Sequence, residues 1–174
     1  MGSACTKVLP DHPVAKTVQT VHGKADVLNP VECLDVFLGG TCGTTTWRNQ
    51  VIPVLNTGQI TCYNPQVAPN QWHEGLMAEE LLAKQTCRIL LFVIGRETRA
   101  VASIAEAAFY IGQGRHVVLV LQPYPETMET LDESADLNRG RRYLRQIAEE
   151  LHEKVPIYDT PMDAINYIVK AVRQ

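Results

Sequence analysis

Leu90-Leu91-Phe92-Val93-Ile94-Gly95-Arg96-Glu97-Thr98-Arg99-Ala100-Val101-Ala102-Ser103-Ile104-Ala105-Glu106 decides how the chain folds. Its first five residues are apolar without alternation, which marks a strand buried on both faces, as in a parallel sheet covered by helices. A short polar loop follows, then a helix whose opening turns hold small residues and one carboxylate. Ligands of such sheets gather beyond the carboxyl ends of the strands. Glu106 therefore faces the place where a substrate would sit, and Ala102, Ser103, Ala105 and Ala107 leave room for one. The alternative for Glu106 is a solvated helix carboxylate favoured by the N-terminal dipole.

Outward from this stretch, strand and helix signals alternate. Strands are expected at 34–38, 59–63, 88–94, 116–121 and 156–158, and helices at 47–55, 74–85, 101–111, 136–153 and 162–172, with 122–134 a long polar loop. Five strands joined through helices imply an α/β, Rossmann/flavodoxin-like three-layer domain with a five-stranded parallel sheet, in the order 2-1-3-4-5. The crevice at its switch point would be rimmed by 39–47, 63–72 and 95–106. The domain spans residues 33–174. Residues 1–32 hold Pro10, Pro13 and Pro30 and show no period, so they are expected to form a flexible arm.

A net charge of -3 over 174 residues gives no reason to expect nucleic acid as a partner. The 5 cysteines are odd in number and lack metal-ligand spacing, which points to a reducing, cytoplasmic setting with no metal and no cofactor. No apolar run approaches the ~18 residues of a membrane span. Met1-Gly2-Ser3-Ala4-Cys5-Thr6 matches the pattern for myristoylation of Gly2, with Cys5 placed for a palmitoyl chain. Two acyl chains would anchor the arm stably, whereas one would not.

Several loops can carry chemistry. Gly39-Gly40-Thr41-Cys42-Gly43-Thr44-Thr45-Thr46 offers hydrogen-bond donors and close backbone approach, but lacks the spacing of a Walker A or dinucleotide loop. It also reads as a flexible turn with Thr46 capping the next helix. Glu106 and Glu80 form a candidate carboxylate pair, with Glu79 as the competing choice. Paired carboxylates serve reactions at an anomeric carbon, one as nucleophile and the other handling the proton of the leaving group. Trp47, Trp72 and His73 could wall a base or simply pack. Arg99 could meet a phosphate or pair with Glu97. Arg139, Arg141, Arg142 and Arg145 could receive a phosphate, an acidic partner or an anionic membrane. A solvated helix face balanced by Asp132, Glu133, Asp136 and Glu149 is the simpler expectation.

Leu38-Gly39-Gly40-Thr41, Tyr63-Asn64-Pro65, the helix bearing Glu79 and Glu80, and Thr98 through Ala108 resemble the nucleoside 2-deoxyribosyltransferase-like superfamily. Within it, the nearest likeness is to the deoxyribosyltransferase-like domain of Raw, an animal protein of developmental signalling. The resemblance implies cleavage of the bond between base and deoxyribose in a nucleoside or nucleotide substrate. Glu106 would be the nucleophile and Glu80 would contact the base. It further implies a sugar pocket drawing on Gly39, Gly40, Thr41, Asn64 and Ser103. Asn138 would reach a neighbouring subunit's site, and so a homodimer or higher oligomer is implied. One departure stands out. Many transferases of the group carry Asp six residues before the nucleophile, and the phosphate-binding hydrolases carry Ser, where this chain has Ala100. The resemblance thus leaves two readings: an N-glycosidic transferase or hydrolase, or a weakly active or inactive membrane-tethered signalling module that keeps the pocket.

Overall fold

The alternation hidden inside each apolar run divides the core in two. A computed structural model describes residues 33–71, 73–127, 131–151 and 155–173. Its strands are β1 (Val36–Gly40), β2 (Cys62–Tyr63), β3 (Ile89–Ile94), β4 (Val117–Leu121) and β5 (Ile157–Tyr158), and its helices α1 (Trp47–Thr57), α2 (Gly75–Thr86), α3 (Val101–Gly112), α4 (Leu131–Leu151) and α5 (Pro161–Arg173). All pairings are parallel and the strand order is β2-β1-β3-β4-β5. Successive side chains of β3 point to opposite faces. Ile89, Leu91 and Val93 pack with Val51 and Leu55 of α1 and Ile165 and Ile168 of α5. Leu90, Phe92 and Ile94 pack with Ala83 of α2, Ala107 and Ile111 of α3 and Leu144 and Ala148 of α4. The expected three-layer Rossmann/flavodoxin-like domain is thus the observed one. The expected arm, 1–32, with Gly2 and Cys5, lies outside the described residues, as does Trp72.

Several elements differ from expectation at their ends: β1 is shifted by two residues, so Gly39 and Gly40 belong to the strand, and α1 runs on to Thr57. Pairing of β2 starts only at Cys62, because Gln59 adopts a left-handed conformation (φ 58°) that turns the chain before the ladder begins. Helix α4 begins at Leu131, inside the stretch expected to be loop. Asp132 and Glu133 belong to its first turn, where carboxylates offset the positive end of the helix dipole. No helix among the described residues is long and apolar enough to cross a membrane.

Burial of two thiols beside the sheet has a measurable outcome. It pushes Cys62 up to about 11 and Cys87 up to about 12 from an ordinary 9.0. The folded state therefore holds these protons more tightly than the unfolded chain does. Stability is complete below about pH 9 and falls as pH rises towards 11 and 12. Urea midpoints measured from about pH 8 upward should drop through this window. A midpoint that stayed level would show that the thiols are not desolvated.

Candidate active site

The glycine-threonine segment after β1 is organised by one side chain of α1. Arg48 is 0 % exposed. Its guanidinium donates to the carbonyls of Leu38 (3.0 and 3.1 Å), Gly40 (3.0 Å) and Thr41 (3.1 Å) and to the Thr45 hydroxyl (3.2 Å). A planar fork of donors is the one side chain that can reach so many acceptors at once. Burial pulls its pKa below the ordinary arginine value, and the fields of Cys42 and Glu80 oppose that pull. From the far side, the Gln66 amide donates to the carbonyls of Cys42 (2.6 Å), Gly43 (3.1 Å) and Thr45 (3.0 Å). The segment is held from both sides, which corrects the expectation of a flexible turn. Thr46 makes no side-chain cap, because the Thr45 hydroxyl rather than that of Thr46 turns inward, onto the Thr41 carbonyl (2.9 Å).

Gly40 has a positive φ of 120°, and a Cβ there would lie 2.5 Å from the Val93 carbonyl oxygen. Only glycine lets β1 leave the sheet at this point. Across the switch point, Ala100 heads α3 in the left-handed region (φ 55°, ψ 26°), and its carbonyl accepts the Ile104 N–H at 2.9 Å.

Between these two segments, α2 and α3 bring three charges together. Lys84 Nζ is 2.8 Å from Glu80 Oε1, one helical turn earlier, and 2.5 Å from Glu106 Oε1. The Lys84 side chain is 7 % exposed, against 34 % for Glu80 and 40 % for Glu106. Its ammonium also lies 5.4 Å above the centre of the Phe37 ring. Burial alone would lower the lysine pKa. Hydrogen bonds and charge from Glu106 and Glu80 outweigh it and leave the ammonium above its ordinary value, hence charged at neutral pH. Both carboxylate oxygens touch one nitrogen, so they lie no farther apart than the ~5–5.5 Å of the carboxyl pair in retaining glycosidases.

These groups open into a cleft of about 550 Å³, lined by Gly40, Thr41, Cys42, Glu80, Ser103 and Glu106, with 98–102 along its edge. A neighbouring cleft of about 490 Å³ shares Cys42 and Glu80 and is walled by Pro65, Val67, Ala68, Leu76 and Met77. The first cleft carries both carboxylates, and both clefts are lined mainly by apolar surface, as ring-binding sites are. Tyr63 stacks on Phe37 with ring centres 5.7 Å apart. Burial, reinforced by the charges of Glu79 and Glu80, pushes its phenol up to about 12.

The structure brings together Gly40, Thr41, Glu80, Ser103 and Glu106 of the expected site. Glu80, not Glu79, lines the cleft. Three others stand apart from that lining. Gly39 packs β1 against β3, where a Cβ would meet the Phe92 ring at 2.8 Å. The Asn64 carboxamide accepts the Gln66 N–H at 3.0 Å, closing a turn. The Asn138 carboxamide bonds both the N–H (2.8 Å) and the carbonyl (3.0 Å) of Tyr124 in its own chain. Two surface readings are corrected. Arg99 pairs with Glu133 at 3.0 Å rather than with Glu97, whose carboxylate lies folded against Gly95. Arg141 is buried rather than part of a solvated face. Lys84 and Arg48 went unread. The only trace of Lys84 in the sequence is its place one turn after Glu80.

A family model described as "Nucleoside 2-deoxyribosyltransferase like" matches residues 33–124, just over half of the chain. The chain belongs to the nucleoside 2-deoxyribosyltransferase-like family. Membership associates it with nucleoside-related glycosyl-transfer chemistry as a class. The matched part of this deoxyribosyltransferase-like chain contains Glu80, Lys84 and Glu106, whereas Asn138 falls beyond it. Among solved structures, a conserved protein from Enterococcus faecalis V583 superposes with a TM-score of 0.54 at 10 % identity, over 79 % of this chain and 98 % of that one. At that identity the likeness concerns the fold. The TIR domains of the activated Roq1 resistosome, which recognises the pathogen effector XopQ, give a TM-score of 0.45 at 13 % identity, over 80 % of this chain and 99 % of theirs. No curated protein sequence matches.

Proposed function

We propose that the chain cleaves or transfers the N-glycosidic bond of a nucleoside or nucleotide, with Glu106 as nucleophile and Glu80 at the base. The observation that carries this reading is the meeting of both carboxylates on the Lys84 ammonium, in a cleft that shares Cys42 and Glu80 with a second, mainly apolar one. In the first step a Glu106 oxygen bonds to C1′ while the C1′–N bond breaks. Its electron pair leaves on the base, which takes up a proton delivered through Glu80. In the second step water, or an N–H of another base, attacks C1′, gives its proton back to Glu80 and releases the Glu106 carboxylate. Lys84 is a positioning residue here. Its charge tempers the repulsion between two carboxylates so close together. Ser103 and Thr41 border the sugar. The test incubates the purified chain with a panel of nucleosides and 5′-monophosphates and measures free base. Release from at least one member of the panel is expected, and none from any member would remove turnover from the reading.

We also propose a homo-oligomer. Met77 (64 % exposed) and Leu81 (51 %) on α2, and Val101 (64 %) and Phe109 (58 %) on α3, leave large apolar side chains exposed on the two helices that carry the carboxylates. Sedimentation analysis should find a dimer or larger species, reduced to monomer by Phe109→Asp. A wild-type monomer at tens of micromolar would exclude it, and with it any role for Asn138 in a neighbouring site.

One observation favours the second reading, a module that keeps the pocket without turnover. Ala100 offers no carboxylate at the cleft's edge, and Lys84 already occupies both acids. The likeness to Raw and the acylation pattern belong to this reading, which places the domain at a membrane. Mass spectrometry after eukaryotic expression should find a myristoyl group on Gly2 and a palmitoyl group on Cys5. An unmodified Gly2 would remove the tether.

A further inference from the structure

We propose that the cavity between the end of β4 and α4 binds a phosphate group carried by a small molecule, at a site separate from the Glu106 cleft. Asn138, Arg141, Arg142 and Arg145 follow one another at i, i+3, i+4 and i+7, so they form one stripe of α4. That stripe faces Gln122 and the segment after β4 across a cavity of about 270 Å³. Three guanidinium groups line it against one carboxylate, Glu126. The Glu126 carboxylate is itself drawn towards the Asn138 amide, at 3.4 Å.

Arg141 supplies an unusual field. It is 3 % exposed, and its guanidinium donates to carbonyl oxygens alone: Gln122 (2.8 Å), Leu137 (3.1 Å), Gly95 (3.0 Å) and Thr98 (2.9 Å). Among the described residues no carboxylate stands within ion-pair distance of it, and Glu97 acts on it only through its field. A buried cation balanced by dipoles alone adds a positive potential to the adjoining cavity, on top of the charge of the two exposed guanidinium groups. The two guanidinium groups that could grip an anion there are open to solvent. Arg142 forms no ion pair among the described residues, and Arg145 meets Glu149 only at 4.0 Å. Paired arginine forks are the favoured receptors for phosphate oxygens.

The concave shape selects a compact anion over a bilayer, since a flat surface would meet protruding side chains first. The site is also linked to the catalytic cleft. Arg141 holds the carbonyls of Gly95 and Thr98, and Thr98 borders the Glu106 cleft. An anion on Arg142 and Arg145 therefore draws on the same helix stripe that fixes the loop between β3 and α3.

The experiment titrates inorganic phosphate into the full chain at constant ionic strength, followed by calorimetry and amide chemical shifts, and needs no turnover. Saturable binding at one site is expected, with shifts at Thr98 and Gln122 and along the α4 stripe. Affinity should fall at least about tenfold in the Arg142→Gln/Arg145→Gln double variant. It should be unchanged in Arg139→Gln, whose partner Asp136 sits at 3.7 Å on the same helix, and in Glu106→Gln. Equal affinity in the double variant, loss in Glu106→Gln instead, or no saturable binding would each overturn the proposal. So would arginine-dependent binding to phosphatidylserine vesicles without any binding of inorganic phosphate. Because Arg142 and Arg145 are exposed, both substitutions should leave the urea midpoint in place, and the single variants give the same reading should the double one fail to fold.

Discussion

Glu106→Gln is expected to lower base release by at least about a thousandfold while leaving the fold intact. Glutamine keeps the size and one acceptor of glutamate but cannot form the glycosyl ester and carries no charge to meet a cationic sugar. The structural cost is small. The Glu106 side chain is 40 % exposed and Lys84 retains Glu80 at 2.8 Å, so the lost contact is worth roughly 1 kcal/mol after solvent screening. Chromatography of free base, with a urea melt in parallel, separates the two effects. Wild type and variant releasing base at the same rate would mean that Glu106 is not the nucleophile. Glu80→Gln should behave differently, losing about 10²-fold with a base that needs protonation and much less with one that leaves readily.

Arg48→Met should destabilise the domain by about 3–5 kcal/mol, with no change in the denaturant slope. Methionine fills much of the space but gives up the guanidinium that lies 4.5 Å from the centre of the Trp47 ring. It leaves the carbonyls of Leu38, Gly40 and Thr41 and the Thr45 hydroxyl without their donor. Each such group costs about 1–3 kcal/mol when no water can reach it. Arg48→Lys should restore only a minor part, since one ammonium cannot span acceptors arranged around a planar fork. Urea titration measures both. A loss near zero for Arg48→Met would show that the Gln66 amide holds the segment unaided.

The fold was legible because its signal is redundant. Each buried strand sits between a turn and a helix, and the apolar run at 90–94 excludes a sheet with a wet face. Helix boundaries were harder to read. The first turn of α4 is exposed and acidic, and in composition an exposed acidic helix turn resembles a loop. The site was half legible. Glu106 follows from its place after a central strand, but Glu79 and Glu80 are neighbours on one helix, and which of them reaches the cleft is set by how α2 rolls against β3. Lys84, Arg48 and Arg141 could not be read at all. Lysine and arginine are surface residues by default. Their burial here depends on carbonyls and carboxylates contributed by other elements, which no local pattern records.

The left-handed turn at Ala100 has a consequence for the missing acidic neighbour. Alanine pays about 1 kcal/mol or more to hold such a conformation, whereas aspartate and asparagine adopt it several-fold more readily because their short side chains bond locally. The main chain at this position is already cast for a short acidic side chain. Ala100→Asp would therefore add a carboxylate to the cleft's edge without asking the backbone to move, which makes the route from this chain to a fuller acidic site one codon long.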